Sequence, residues 1–442
     1  MHDVLDPKDL LADELAQRRE SGHDVAALEA PVSDALETAA PDELERLLVE
    51  VESAPLRADW NYEEPSDLEE ILAVRPAATP PPALELDEAE LLDRIHAAWL
   101  GRCAGCNLGK PVEGVVWEDM VRYLRAVDAY PLEDYIPAAA QGDGNLRMHP
   151  SWPDSTRGNI RFMARDDDMD YTILALHVLE TDGFDFTAAD VGRHWLERFP
   201  FLQIYTAERA AYRNLILGLA PPETASHRNP HREWIGAQIR ADMFGYVSPG
   251  DPAQAAALGH ADAALSHTAN GIYGEMWAAG LIAACFTAPD MRTALDAAAA
   301  VIPPRSRLME ALRHVDELHG RGLDWETACV RLRQRYGHYS FVHTINNAAV
   351  VAAALLWGEG DFTRTIGLAV QGGWDTDCNG ATAGSAFGAM HGRAALPARW
   401  VDPLSDRIRS ALFGYDNTRI SDLAVRTVRL AVAHTVALTS GA

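Results

Sequence analysis

Three stretches of this chain, Ile173 to Leu179, Ala279 to Phe286 and Val342 to Leu356, place apolar residues at helical spacing on nearly every face. A helix that is apolar all round has to be enclosed by other helices, so these segments predict the centre of a large helical body. Alternating strand patterns are scarce. Gly380, Gly384 and Gly388 fall every four positions on a further helical stretch, leaving one face able to approach a neighbour closely. The expected fold class is therefore all-α, a compact multi-helix body.

The body is expected to carry an appendage. Residues 1–75 contain amphipathic helical stretches such as Asp42 to Val51, and a proline-rich linker follows over 76–84, where Pro76 and Pro80 to Pro82 cannot continue a helix. The all-α domain then occupies 85–442. Of the formal net charge of −27, −19 lies before Leu91, where 25 acidic residues face 6 basic ones, leaving −8 for the rest. The appendage reads as a solvated helical extension, or as an arm that docks a protein partner. A chain with no basic field does not collect phosphate backbones or anionic lipid, so neither nucleic acid nor membrane is expected as a partner. The longest nearly charge-free apolar run, Trp277 to Ala288, is shorter than the ~18 residues a membrane span needs. Five scattered cysteines and no basic-then-apolar leader predict a reducing cytoplasm.

Two acidic loops could carry chemistry. Asp166, Asp167, Asp168 and Asp170 precede the apolar helix starting near Ile173, and one or two of them are explained as helix caps. Four are not so easily explained. Carboxylates ~4 Å apart repel by about 4 kcal/mol at an effective dielectric of 20, so a half-buried cluster of them calls for a cation. The second loop, Val370 to Gly380, carries Asp375 and Asp377 on a glycine-loosened turn that again opens a helix. Oxygen donors of this kind select Mg²⁺, Ca²⁺ or Mn²⁺ over zinc. A third segment runs from Trp99 to Gly114. Its Gly105-x-x-x-Gly-Lys is one residue short of a phosphate loop, and Pro111 stands where Ser or Thr should be, so that reading is rejected. Cys103 and Cys106 read as structural thiols, and Glu113 is the candidate acid or base on that turn.

Taken together, the three segments resemble the ADP-ribosylglycohydrolase family, which includes the dinitrogenase reductase-activating glycohydrolases, over roughly Leu91 to Ala433. Gly-Trp-Asp375-Thr-Asp377 is similar to the family's Gly-x-Asp-Thr-Asp-Thr. Asp167 to Thr172 resembles its Thr-Asp-Asp-Thr-x-Met-Thr, and Gly105 to Glu113 resembles its glycine-rich turn ending in Glu. The resemblance implies an all-α fold with a pair of Mg²⁺ ions, whose ligand positions fall on Asp166, Asp167, Asp168, Asp375 and Asp377. Two positions depart from the pattern. Asp166 stands where the family has Thr, and Cys378 stands where the second loop ends in a Thr ligand. A thiol is a poor partner for magnesium, so the second ion is the less certain of the two.

Substrate-binding positions implied by the resemblance are Gly236, Arg240, His267 and Gly373. Gly236 would offer backbone amides to a diphosphate and Arg240 a charge, the alternative being an ordinary helix turn. His267 in its apolar surroundings also reads as a satisfied core residue. The resemblance implies a glycohydrolase that removes ADP-ribose from a modified protein or small molecule, with Glu113 handling the proton and Asp168 as the alternative group directing water. Two other readings remain: a hydrolase of a small free N-riboside in the same site, and a catalytically silent ADP-ribose-binding module.

Overall fold

Helix starts are written into this sequence as capping residues. The side chain of Asp6 accepts from the Lys8 amide ahead of α1 (Pro7–Glu20), whose proline occupies the first turn, where its missing N–H costs nothing. Another proline opens α2 (Pro41–Glu52). Asp87 and Glu90 form a reciprocal capping box at the start of α3 (Glu88–Gly109). Asp166 caps α4 (Asp167–Asp182) by accepting from the Asp168 amide. Further along come α5 (Asn270–Cys285), α6 (Thr344–Trp357), α7 (Phe362–Gln371) and α8 (Thr376–His391). The computed structural model describes residues 3–77, 84–138 and 148–440, with side chains to 434. Among these residues the chain forms helices, turns and four isolated bridges, and no strand.

The all-α expectation holds, and the segments apolar on every face are central. All of α5 is buried, and so is α8 up to its last residue. One large apolar cluster runs through the body from Ile71 to Ala431.

Helices α3 and α8 make the contact that positions the site. They run antiparallel with glycine against glycine: a Cβ built on Gly101 would strike the backbone of Gly384, and one on Gly105 the backbone of Gly380. A Cβ on Gly109 would strike Thr376, and one on Gly388 would strike Ala97. Only residues without side chains allow this approach, which turns the small-residue stripe into a backbone-to-backbone seam. The Thr376 hydroxyl donates to the Gly109 carbonyl at 2.8 Å, so the last turn of α3 is tied to the first turn of α8. The seam therefore brings the turn bearing Glu113 beside Asp375 and Asp377.

The N-terminal segment departs from the expectation of a solvated arm. Its helices share a small apolar core, with Leu11, Leu47, Leu48 and Val51 packed together with Ala210 of the body. Glu14 accepts two hydrogen bonds from Arg232, at 2.7 and 3.0 Å, and Gln17 donates to Glu233 at 2.9 Å. Glu64 pairs with Arg307 at 2.9 Å. Acidic residues that read as a solvated face are thus counter-ions for buried arginines more than 200 positions away. The linker expected over 76–84 falls, across 78–83, outside the described residues.

Candidate functional site

A cavity of about 580 Å³ opens where α4 and α8 begin, and Glu113, Asp167, Asp168, Asp375 and Asp377 all line it. The two acidic loops, some 200 residues apart in sequence, thus converge. Asp375 is set by its amide, which donates to the Asn347 side-chain oxygen at 3.1 Å, and the same oxygen accepts from Asn379 at 2.8 Å. Asn347 belongs to α6, so a third central helix fixes the second loop. The Gly114 amide donates to the Trp374 carbonyl at 3.4 Å, joining the Glu113 turn to the same loop.

The carboxylates differ in their compensation. Asp166, next to the cavity but not lining it, forms an ion pair with Lys110. Burial alone would raise its carboxyl, but the ammonium outweighs that and holds it down at about 2. Asp168 pairs with Arg102 at 3.2 Å, and Arg102 also holds Asp242 at 2.8 Å. The Cys378 thiol donates to the other Asp168 oxygen at 3.2 Å. By contrast Asp167, Asp375, Asp377 and Glu113 have no lysine or arginine ion pair among the described residues. Among the described residues the nearest cation-forming group to Glu113 is His149 at 3.7 Å. Burial, reinforced by Asp166, pushes the Asp167 carboxyl up to about 8. Burial and then Asp377 raise both Glu113 and Asp375 well above the carboxylate range. In the absence of a cation, this site resists holding its charges together.

Two constellations could hold a metal. Cys106, Asp166, Asp168 and Asp377 offer ligand atoms that all lie within 4.8 Å of one another, as do Asp375, Asp377 and Cys378. Asp377 is common to both. Cys106, read from sequence as a structural thiol, is buried and unpaired in a disulfide, yet it abuts the acidic centre.

The substrate-binding expectations divide. Gly236 lines the cavity, and a Cβ there would strike the Glu208 carboxylate, itself part of the lining. Arg240 does not reach the cavity. It is 1% exposed, and its guanidinium is held by Glu208 at 2.9 Å, Glu275 at 3.6 Å and Asp262. It is a buried counter-ion in the wall. His267 is likewise enclosed behind the wall, bonded to Ser266 at 2.8 Å, as its core reading anticipated. Gly373 serves the turn, with φ at +75°. A Cβ there would strike Arg333, which lies 4.8 Å over Trp117 and 4.7 Å over Trp374.

Sequence reasoning missed several groups in the lining. Lys110, part of the rejected phosphate-loop pattern, lines the cavity from the same turn as Glu113. Arg165, paired with Asp170 at 2.8 Å, and Arg209 are the arginines on the cavity lining, and their guanidinium groups lie 5.9 and 5.5 Å over the Tyr205 ring. Arg165 directly precedes the acidic run, a placement visible in the sequence; Arg209 carries no local signal.

A family model described as ADP-ribosylglycohydrolase matches residues 87–435. No curated protein matches the chain. A solved structure described as an ADP-ribosylglycohydrolase-related protein complex is similar at 19% identity with a TM-score of 0.48, covering 78% of this chain and 99% of that one.

Proposed function

The chain belongs to the ADP-ribosylglycohydrolase family and is a hydrolase acting on glycosyl bonds, and on that premise we propose that it is Mg²⁺-dependent and cleaves the anomeric bond of an ADP-ribosyl group. The observation that carries this reading is the convergence in one cavity of Glu113, Asp167, Asp375 and Asp377, none with a lysine or arginine partner among the described residues. The donor set fits a hard divalent cation, because it is made of carboxylate oxygens in a buried site with surplus negative charge. Asp375 and Asp377, with Asp167 nearby, would hold it. Bound there, Mg²⁺ supplies Lewis-acid charge and a fixed template for vicinal ribose hydroxyls.

The chain's own residues do the rest. Glu113 stands on the cavity lining with no arginine or lysine ion pair among the described residues, and its burial beside Asp377 raises its proton affinity. In its ionised form the Glu113 carboxylate takes the proton of an attacking water as the bond from the anomeric carbon to nitrogen or oxygen breaks. The water oxygen joins that carbon, and the departing group leaves with the electron pair and acquires the proton that Glu113 took from the water. Asp168 is the weaker candidate for this role, since Arg102 and the Cys378 thiol already occupy its two oxygens. Arg209, with no carboxylate ion pair among the described residues, and Arg165, paired with Asp170, are the guanidinium groups on the lining that a diphosphate would meet. The acceptor is proposed to be a modified protein side chain or a small molecule.

Turnover assays on an ADP-ribosylated peptide and on free N-ribosides, with and without chelator, test this. The reading expects cleavage of the ADP-ribosyl substrate, lost on chelation and restored by Mg²⁺. Preference for the free riboside moves the assignment to a small-metabolite hydrolase, and calorimetric binding of ADP-ribose without turnover makes the chain a binding module. Full activity in metal-free buffer removes the metal from the account.

A further inference from the structure

Lys110 follows the last residue of α3 and is 5% exposed, with its ammonium on the carboxylate of Asp166. It therefore lies within one of the two constellations able to take a metal, the one made by Cys106, Asp166, Asp168 and Asp377. Asp168 of that group is held by Arg102 at 3.2 Å, so two fixed cations are already installed there. In the constellation of Asp375, Asp377 and Cys378 neither carboxylate has a lysine or arginine ion pair among the described residues, although Lys110 lies close enough for Asp377 to raise its proton affinity.

The two departures from the family pattern fall one in each constellation, Asp166 in the first and Cys378 in the second. Asp166 adds a carboxylate where the family has Thr, and Lys110 neutralises it. Cys378 replaces a Thr ligand, and its thiol is committed as a donor to Asp168, at 3.2 Å. Two positions that an ion in the first constellation would draw on, Asp166 and Asp168, are thus bonded to fixed cations, and the second Asp168 oxygen accepts from the Cys378 thiol. A divalent ion placed among Asp166, Asp168 and Asp377 would meet the lysine ammonium in a buried site where water cannot screen the repulsion.

We propose that the Lys110 ammonium is a built-in counter-ion that takes the place of one divalent ion, so that the acidic centre holds a single metal, on the Asp375 and Asp377 side. This rests on the metal-dependent reading above and fixes its stoichiometry. Lys110 acts through Asp166 and is a positioning residue.

The test is Mn²⁺ binding to the full-length, metal-stripped chain, followed by calorimetry and by electron paramagnetic resonance. One Mn²⁺ per chain with an uncoupled signal is expected for the wild type. Lys110→Met is expected to bind a second equivalent and to show spin coupling between the two ions. Because Lys110→Met strands a buried carboxylate, the paired variant Lys110→Met/Asp166→Thr, which removes both charges together, keeps the measurement decisive. It too is expected to reach two equivalents. Two coupled ions in the wild type overturn the proposal and leave the metal-dependent reading standing. One ion in every folded variant overturns the role given to Lys110. No binding by the wild type overturns the metal-dependent reading itself, and this proposal with it.

Discussion

Gly380→Ala tests the structural premise of the site, the glycine seam between α3 and α8. A methyl group at 380 would meet the Gly105 carbonyl well inside 3.0 Å, a separation real Cβ atoms essentially never show, and its neighbour is backbone that cannot swing aside. To restore ordinary contact the helices must part by about 1 Å, an overpacking that costs about 1–3 kcal/mol. Alanine in place of a helical glycine returns roughly 1 kcal/mol of propensity. Because both faces of this contact are backbone, the overpacking term falls at the top of its range, and the net loss is about 2 kcal/mol. The functional loss is expected to be larger. The parting stretches the bond from Thr376 to Gly109 and shifts the Glu113 turn against Asp377, and a misplacement of ~1 Å at a reacting centre costs about 10²-fold in rate. Urea denaturation followed by tryptophan fluorescence gives the first quantity and kcat the second. Gly320→Ala is the control, a helical glycine whose Cβ would meet nothing within 4 Å, and it is expected to be neutral or slightly stabilising. If Gly380→Ala behaves like Gly320→Ala in both measurements, the seam does not set the geometry of the site.

Other expectations follow from single groups. Glu113→Gln is expected to lower kcat by about 10²–10⁴-fold with an unchanged far-ultraviolet circular dichroism spectrum; activity within a few-fold of wild type would show that the proton is handled elsewhere. Glu14→Ala leaves Arg232 buried without its partner and is expected to destabilise the chain by about 3–5 kcal/mol, whereas an unmoved urea transition would mean that the N-terminal segment is only loosely attached. Burial, then the charge of Glu233, pushes the Glu20 carboxyl up from 4.5 to about 7. The native chain thus holds this proton more tightly than the unfolded chain does. The associated stability is complete below about pH 4.5 and is lost as pH rises through about 7. Glu20→Gln is expected to flatten that slope and to exceed wild-type stability by roughly 1–3 kcal/mol at about pH 8; equal denaturation midpoints there would contradict the linkage.

The sequence carried the helical class because all-round apolar segments have one destination, the centre of a helical body, and α5, α6 and α8 are there. It also carried the meeting of the acidic loops, since so many carboxylates at two helix starts are hard to account for separately. It did not carry the partners. Arg240 looks like a phosphate ligand until Glu208, Asp262 and Glu275, spread over three other helices, are folded around it. The same holds for Lys110, whose carboxylate lies 56 positions away, and for Glu14 and Glu64 of the N-terminal segment, whose arginines lie beyond residue 230. Charge pairing across such separations has no periodicity to read, whereas apolar burial has one. Gly373 is an intermediate case. Its glycine was legible as a special backbone position, but whether the special need came from a ligand or from Arg333 was not.

The most direct test of the account is an anomalous diffraction map of crystals soaked in Mn²⁺, recorded at the manganese edge. The account predicts a peak bonded to the carboxylates of Asp375 and Asp377 inside the cavity that Glu113 lines. A catalytically active crystal with no peak in that cavity, or with manganese bound only elsewhere on the chain, would contradict it.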